Sequence, residues 1–237
     1  MAKTLIIIPV LNEGNNIFDL ITSIQSLYPG FDIVVINDGS KDRTVEEVRH
    51  SGVMLINHPF NMGYGVTVQT GYKFAFQQGY DYLIQIDGDG QHNPECIGKI
   101  HNELVKDRAD LVLGSRFNGD LQYKPDFMRK IGMNLFKWLV NRVTHLNLSD
   151  VTTGFQGMNS KVLKEFIKDS FPTDYPDADV IIMAHKKGIR IKEVPVMMYA
   201  NKEGKSMHSR FHKTFVYMLQ MIISVFIILI QKKDKYS

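Results

Sequence analysis

Short apolar runs alternate with stretches of helical periodicity up to about residue 115, and no other feature constrains the fold as strongly. Five of these runs are nearly continuous in apolar character and predict β-strands at residues 5–8, 33–36, 53–56, 82–86 and 111–113. Strands that helices cover on both faces have this character, whereas strands with one wet face alternate polar and apolar residues. The order of the runs therefore predicts an α/β domain with an open, mostly parallel sheet flanked by helices.

The stretches between the runs predict the helices. After the first strand, apolar residues recur at helical spacing at Ile17, Leu20, Ile21, Ile24 and Leu27. Further helices are predicted at residues 44–50, 65–78, 94–106, 127–145 and 177–187. One more strand is predicted at residues 189–194. Ligands of open parallel sheets bind beyond the carboxyl ends of the strands, so the residues that follow each strand are the candidates for chemistry.

One of these segments, QIDGDGQHNP at residues 85–94, places Asp87 and Asp89 one residue apart at the end of a predicted strand. Alternate residues of an extended chain face the same side, so both carboxylates and the side chain of Gln91 can converge on one point. Two neighbouring carboxylates repel unless a cation neutralises them, and hard oxygen ligands suit Mg²⁺ or Mn²⁺. The segment predicts a metal site that the phosphates of a nucleotide diphosphate complete; the alternative is a solvated acidic turn.

Composition narrows the classes of function. The formal net charge is only +3, and no basic stripe with interleaved aromatic residues occurs outside the C-terminal helices, so we expect no nucleic-acid partner. The one cysteine, Cys96, excludes a disulfide within the chain and fits a reducing compartment. We expect no secretion signal at the N-terminus, because the chain leads straight into a predicted strand.

Six segments, taken in order, resemble family 2 glycosyltransferases: PVLNE (9–13), NDGSKDRT (37–44), NMGYG (61–65), DGDGQHNP (87–94), GSR (114–116) and DVTTGFQ (150–156). The likeness is strongest to the branch that makes polyprenyl-phosphate (dolichyl-phosphate) mannose and glucose. The resemblance implies a GT-A fold. It also implies inverting, metal-dependent transfer of a sugar from a donor of the GDP-mannose or UDP-glucose type to a polyprenyl-phosphate lipid.

The resemblance also implies roles for individual residues. The residues that bind the donor are Pro9, Asn12, Glu13, Asp38, Gly63, Asp87 and Arg129. The ligands of Mg²⁺ or Mn²⁺ are Asp87, Asp89 and Gln91. The catalytic residues are Asp89, Arg116 and Asp150. Arg116 would face the phosphates, where a planar guanidinium can bind two oxygens at once.

Two positions depart from the family's pattern. The family has two acids before Gly-Ser, and the second contacts the base of the nucleotide. Here Asn37 replaces the first acid, and Asp38 stands at the second. Gln156 occupies the position of an arginine, so one expected positive charge is missing there.

The acceptor decides whether a general base is required. A lipid phosphate has a second pKa near ~6 and is mostly dianionic at neutral pH, so it would attack without a strong base. A sugar hydroxyl would need one, and Asp150 or Asp179 are the candidates, with Asp150 preferred. Two alternatives therefore stay open: a glycosyltransferase that extends a cell-surface polysaccharide on a sugar hydroxyl, and a non-catalytic subunit that binds nucleotide sugars.

The C-terminal run FVYMLQMIISVFIILI, at residues 215–230, is apolar except for Gln220 and Ser224, and basic residues flank it. It is shorter than the roughly 20 apolar residues that span a bilayer. We expect it to lie in the membrane surface or dip into the membrane; a core or oligomer-interface helix is the alternative. The basic amphipathic helix at residues 127–145 is equally compatible with a membrane surface and with a packed core.

These expectations divide the chain into a catalytic domain at residues 1–210 and a membrane-associated helix at residues 211–237. They place the protein at the cytoplasmic face of the membrane, either as a peripheral protein or with one short inserted helix. The expected partners are the nucleotide-sugar donor, the polyprenyl-phosphate or glycan acceptor and the membrane surface. A small membrane-protein partner or a homo-oligomer is a further hypothesis.

Overall fold

The computed structural model of the protein describes residues 2–116, 127–172, 176–199, 223–225 and 227–228, with residues 127–131 described by their backbone alone. The strands in these ranges are β1 (Thr4–Val10), β2 (Asp32–Asn37), β3 (Met54–Asn57), β4 (Tyr82–Gln85), β5 (Leu111–Ser115), β6 (Gln156–Asn159) and β7 (Ile191–Pro195). The helices are α1 (Ile17–Leu27), α2 (Thr44–His50), α3 (Tyr64–Gln77), α4 (Ile97–Val105), α5 (Phe127–Thr144), α6 (Ser160–Phe166) and α7 (Ala178–Lys186).

These strands form one sheet in the order β3-β2-β1-β4-β6-β5-β7. Neighbouring strands pair in parallel, except that β6 runs antiparallel to both β4 and β5. The predicted α/β class with an open, mostly parallel sheet is confirmed.

The central strand β1 is buried on both faces. Leu5 and Ile7 belong to a core that β1 shares with α3, α5, α6 and α7. Ile6, Ile8 and Val10 belong to a second core, shared with α1, α2 and α4. This two-sided burial explains why the strands read as continuous apolar runs. It also confines polar side chains largely to the ends of the strands.

Strand β6 and helix α6 were absent from the sequence prediction. The sequence of β6 is Gln-Gly-Met-Asn, which contains no apolar run. A side chain on Gly157 would bring its Cβ within 2.3 Å of Ile100 Cγ2, so close packing against α4 requires the glycine. Asn159 ends β6, and its side chain accepts a hydrogen bond from the backbone N–H of Val162 at 3.2 Å, so the same residue caps α6. Close packing therefore explains Gly157, and helix capping explains Asn159.

The C-terminal apolar run is described at five positions, all helical, at residues 223–225 and 227–228. Val225 and Ile228 are buried in the core that contains α7. Among the described residues, no helix has the length and apolar character needed to cross a bilayer. The rest of the run lies outside the described residues, so the predicted boundary at residue 210 stays a prediction.

One buried carboxylate, that of Asp110, ties together the ends of three strands away from the candidate site. It accepts hydrogen bonds from Asn159 Nδ2 at 2.9 Å, from Lys161 Nζ at 3.1 Å and from the backbone N–H of Arg190 at 2.9 Å. The guanidinium of Arg190 adds two more, at 3.1 and 3.0 Å. Burial alone raises the pKa of Asp110, but these donors outweigh burial and hold the pKa well below its usual range.

We expect Asp110→Asn to lower the free energy of unfolding at pH 7 by about 1.5–3 kcal/mol, because the amide presents a donor to groups that are themselves donors. The carboxylate's contribution is complete above the unfolded pKa of about 3.9 and is lost as the pH falls toward the lower native pKa. The difference between the two proteins should therefore shrink below about pH 4. Urea unfolding at a series of pH values measures this.

The matched control is Asp169→Asn, at an exposed position of the chain. It should change the free energy of unfolding by less than about 0.5 kcal/mol. Equal stability of Asp110→Asn and the wild type at pH 7 would contradict the assigned role of Asp110.

Candidate active site

One edge of the sheet gathers the segments that the sequence analysis singled out. Strands β1, β2 and β4 are parallel and end at this edge, whereas β6 runs the other way and begins there. Gln85, the last residue of β4, pairs with Gln156, the first residue of β6. The loops after β1, β2 and β4 and the loop before β6 therefore lie together, where open α/β sheets bind their ligands.

Asp87, the first acid of the pair, is held from two sides. The hydroxyl of Tyr64 donates a hydrogen bond to Oδ1 at 2.8 Å. His92 Nε2 lies 3.4 Å from Oδ2, and 26% of the Asp87 side chain stays accessible. Burial alone raises the pKa of Asp87, but His92, the Tyr64 hydroxyl and the charge of Arg116 together keep the pKa below its ordinary value. Asp87 is therefore ionised at neutral pH.

Asp89, the second acid, is held by the turn that follows it. The backbone N–H of Gln91 donates to Oδ1 at 3.0 Å, and its side-chain amide donates to Oδ2 at 2.7 Å. Burial and the neighbouring charge of Asp87 raise the pKa of Asp89. The structure thus brings the three predicted metal ligands into one turn, where the two carboxylates repel each other.

The donor set fits a hard divalent cation. Asp87 and Asp89 present carboxylate oxygens, and a cation between them would relieve the repulsion that raises the pKa of Asp89. In the part of the chain that the structure describes, no group of three or more His, Cys, Asp or Glu side chains is placed to hold a metal ion. Phosphate and water oxygens suit the remaining coordination positions of a hard cation at this turn.

Arg116 and Asp150 form a buried ion pair at the same edge. Arg116 Nε donates to Asp150 Oδ2 at 2.6 Å, and Nη2 donates to Oδ1 at 2.7 Å. Arg116 Nη2 also donates to the carbonyl oxygen of Thr152 at 2.9 Å. The side chains are 5% and 0% exposed. Burial alone raises the pKa of Asp150, but the bonds and charge of Arg116 outweigh it and lower the pKa, so Asp150 is a weak proton acceptor.

The loops after β1 and β2 are joined by reciprocal hydrogen bonds. The backbone N–H of Asn12 donates to Ser40 Oγ at 2.8 Å, and Asn12 Oδ1 accepts from the backbone N–H of Lys41 at 2.8 Å. The backbone N–H of Glu13 donates to Thr44 Oγ1 at 2.9 Å. Two predicted donor residues, Asn12 and Glu13, are therefore fixed against the loop that follows β2. A third, Pro9, lies within β1.

Asp38 organises the loop that leads into α3. Its carboxylate is 4% exposed and accepts hydrogen bonds from the backbone N–H groups of Met62 at 2.8 Å and Gly63 at 3.0 Å. His58 Nδ1 lies 2.9 Å from the same carboxylate. Gly63 has φ +96°, a conformation that side-chain-bearing residues rarely adopt. Contact of Asp38 with a nucleotide base stays a prediction.

Of the two remaining candidate residues, the structure describes the side chain of Asp179 but not that of Arg129. The side chain of Arg129 lies outside the described residues, so its role stays a prediction. Asp179, the second candidate base, lies near the start of α7, and Ser224 Oγ of the C-terminal run donates to its Oδ2 at 2.5 Å. Burial raises the pKa of Asp179 despite this bond and those from nearby backbone N–H groups.

A buried network of amides and phenols beneath Asp87 was missed by the sequence analysis. It consists of the side chains of Tyr64, Tyr72, Gln85 and Gln156 and the carbonyl of Gly154. A signal for it exists in the sequence, since Gln85 is a polar residue within an otherwise apolar run. His92 is 2% exposed, and its ring lies 5.0 Å from that of Phe155.

Comparison with known proteins identifies related sequences over most of the chain. The model of the family described as Glycosyl transferase family 2 matches residues 5–167. A UDP-N-acetylglucosamine–dolichyl-phosphate N-acetylglucosaminyltransferase of Methanococcus voltae is 27% identical, over 83% of this chain and 86% of that protein. An undecaprenyl-phosphate mannosyltransferase of Micrococcus luteus is 26% identical, over 86% of each.

A solved structure confirms the fold. Glucosyl-3-phosphoglycerate synthase from Mycobacterium tuberculosis aligns with a TM-score of 0.73, over 98% of this chain and 80% of that chain, at 18% identity. At this level of identity the likeness concerns the fold, and the GT-A class implied by the sequence resemblance is confirmed.

Gly154 provides a test of how tightly the site is packed. A Cβ at this position would lie 2.4 Å from Asp87 Oδ2 and 2.7 Å from the Tyr64 hydroxyl. We expect Gly154→Ala to lower the free energy of unfolding by about 1–3 kcal/mol, because the methyl group overfills the space beneath Asp87. Chemical denaturation measures the change.

Gly30→Ala is the matched control, because a Cβ there would meet nothing within 4 Å. This variant should be as stable as the wild type or slightly more stable. Equal free energies of unfolding for the two alanine variants would contradict the close packing of Gly154 against Asp87.

Proposed function

Because the chain belongs to glycosyl transferase family 2, we propose that it transfers a sugar, with inversion, from a nucleotide diphosphate donor to a polyprenyl phosphate. The donor is of the GDP-mannose or UDP-glucose type. Two relatives that align over more than four fifths of the chain are named as transferases acting on dolichyl phosphate and undecaprenyl phosphate. Their names support a polyprenyl phosphate as the class of acceptor.

The state of Asp150, the preferred candidate for a general base, is the observation that carries this choice of acceptor. Both carboxylate oxygens of Asp150 bind Arg116, and the bonds and charge of Arg116 lower the pKa of Asp150 despite burial, which alone would raise it. A sugar hydroxyl needs a general base before it attacks, and a carboxylate held in this way is a weak one. A phosphate monoester has a second pKa near ~6, so it is already mostly dianionic at neutral pH and attacks without that help.

In this proposal Asp87, Asp89 and Gln91 hold Mg²⁺ or Mn²⁺ together with the diphosphate of the donor. When bound, the cation neutralises negative charge that builds on the leaving diphosphate. Arg116 provides a fixed positive charge close enough to lower the pKa of Asp87, so it contributes to the same stabilisation without having to move. Asp150 orients the Arg116 guanidinium and is a positioning residue in this scheme.

The nucleotide would lie against the loops after β1 and β2. Pro9, Asn12 and Glu13 border it on one side. Asp38 holds the loop before α3 through the backbone of Met62 and Gly63, so it shapes the pocket for the base. The reciprocal hydrogen bonds of Asn12 support this assignment, because they preorganise the two loops before the donor arrives.

A lipid acceptor requires contact with the membrane, and helix α5 presents a suitable surface. Trp138 is 62% exposed. Lys137 and Arg142 line the same shallow surface depression as Trp138. An exposed tryptophan beside basic side chains suits the interface of a membrane that contains anionic lipids. We place this surface at the cytoplasmic face of the membrane; a small membrane-protein partner or a homo-oligomer stays a hypothesis.

A screen of donors tests the proposed reaction. GDP-mannose, UDP-glucose and UDP-N-acetylglucosamine are each incubated with the full-length protein, Mg²⁺ or Mn²⁺ and a short polyprenyl phosphate, and the product is identified by mass spectrometry. We expect a glycosyl phospholipid that mild acid cleaves, and no product from Asp89→Ala. Transfer to a sugar hydroxyl instead would favour the polysaccharide alternative, and transfer that survives Asp89→Ala unchanged would exclude a metal held by this turn.

Binding to lipid vesicles tests the surface on α5. We expect Trp138→Ala to weaken binding of the protein to vesicles that contain anionic lipid, because the ring is lost from the interface. Lys137→Ala should cost about 1 kcal/mol of binding and only when the vesicles are anionic. Co-sedimentation with vesicles measures both.

Phe76→Ala is the matched control, since Phe76 is 41% exposed near the far end of α3. It should bind vesicles like the wild type. Equal losses of vesicle binding for Trp138→Ala and Phe76→Ala would show that exposed aromatic residues contribute nonspecifically. That result would contradict the assignment of α5 as the membrane-contacting surface.

A further inference from the structure

The hydroxyl of Tyr64 links Asp87 to the buried interior. It donates to Asp87 Oδ1 at 2.8 Å and accepts from Gln85 Nε2 at 2.8 Å. A carboxylate can only accept, so the Tyr64 hydroxyl is the donor in its bond to Asp87.

The carbonyl of Gly154 fixes the direction of these hydrogen bonds. A carbonyl oxygen can only accept, so the group of Gln85 that lies 2.9 Å from it must be the amide nitrogen. The same nitrogen then donates to the Tyr64 hydroxyl. Because the Tyr64 oxygen accepts this bond, its own proton is directed to Asp87. A single backbone group thus determines which way the Tyr64 hydroxyl points.

The other end of the Gln85 amide is fixed by the same logic. With Nε2 turned to Gly154, the oxygen Oε1 faces Tyr72, whose hydroxyl donates to it at 2.5 Å. The Tyr72 oxygen in turn accepts from Gln156 Nε2 at 3.0 Å. Tyr72 and Gln85 are 0% and 1% exposed. Reversing any of these hydrogen bonds would leave two donors or two acceptors facing each other at buried positions.

The packing around Gly154 leaves the Asp87 carboxylate little freedom. A Cβ on Gly154 would approach Asp87 Oδ2 to 2.4 Å and Oδ1 to 2.9 Å, so the bare backbone lies directly against both oxygens. The carboxylate is therefore enclosed by Gly154 and held by Tyr64 and His92, while 26% of the Asp87 side chain stays accessible.

We propose that Tyr64 is a positioning residue that sets the orientation of Asp87 for a divalent cation, and that Gln85, Tyr72 and Gln156 hold Tyr64 in its donating state. The inference rests on the metal dependence proposed above. Groups that orient a metal-binding side chain affect the affinity for the metal, because they determine where its free lone pairs point.

The proposal also gives Gln156 a role. Gln156 stands where the pattern of the family that this chain resembles has an arginine. Here the amide of Gln156 is the last donor in the series of hydrogen bonds that leads to Asp87, and it adds no charge. Together with Gln85 and the two phenols, it forms a neutral support for an ionised carboxylate.

The decisive variant is Tyr64→Phe, which removes the hydroxyl and keeps the ring. Mn²⁺ is titrated into the full-length protein, with GDP in one series and UDP in another, and free Mn²⁺ is followed by electron paramagnetic resonance. We expect the Kd for Mn²⁺ to rise about 10- to 100-fold. The apparent KM for Mn²⁺ in sugar transfer should rise in parallel, whereas a merely structural role would lower the amount of folded protein and leave this KM unchanged.

Tyr80→Phe is the matched control, because the hydroxyl of Tyr80 donates to Asp32 Oδ2 at 2.9 Å, a tyrosine–aspartate pair outside the site. It should bind Mn²⁺ as the wild type does. Wild-type affinity for Mn²⁺ in Tyr64→Phe overturns the inference. A wild-type protein that binds no Mn²⁺ with either nucleotide overturns the proposed metal dependence itself, and the inference with it.

Discussion

Burial of the central strands on both faces is the constraint on which the rest of the structure depends. Side chains of β1 enter one apolar core or the other in strict alternation, so polar groups find room mainly where the strands end. Because β1, β2 and β4 are parallel, their carboxyl ends meet at one edge, and β6 begins at that edge because it runs in the opposite direction. The geometry of the sheet thereby concentrates acids, amides and one buried arginine in a small volume.

The charges at this edge are balanced in two different ways. Arg116 and Asp150 form a bidentate ion pair, and this contact leaves Asp150 a weak base. Asp87 is held by the Tyr64 hydroxyl, by His92 and by the nearby charge of Arg116, whereas Asp89 is held by its own turn, and burial and the charge of Asp87 raise its pKa. The first arrangement is suited to fixing a guanidinium in place. The second leaves a negative charge that a bound cation would neutralise. The cation and the guanidinium would together stabilise the negative charge on a leaving diphosphate.

Sequence patterns predicted much of the fold, because two-sided burial produces apolar runs that are visible without a structure. Strand β6 was not predicted, because its sequence Gln-Gly-Met-Asn contains no apolar run. Its residues suit close contacts that exist only in the folded sheet. The acidic turn was predicted because its members are neighbours in sequence. The pairing of Arg116 with Asp150 joins residues 34 positions apart, and the contact of Ser224 with Asp179 joins residues 45 positions apart. Contacts between residues so far apart in sequence depend on the topology of the fold. The resemblance to a family can identify functional residues, but it does not show which of them are in contact.

The position of β6 has a consequence for how the chain folds. Among the described strands, β6 alone connects β4 to β5 and β7, and its first residue, Gln156, lies 71 residues from its partner Gln85. Pairings between β1, β2 and β3 join segments that follow each other in sequence, whereas the pairings of β4 with β1 and of β6 with β4 close long loops, which costs entropy before any contact repays it. We therefore expect β1, β2 and β3 to pair early and β4 and β6 to join later. A chain arrested before β6 joins would have the acidic turn and Tyr64 but would lack Gly154 and Gln156 beneath Asp87, so the support of this carboxylate is completed only when folding is complete.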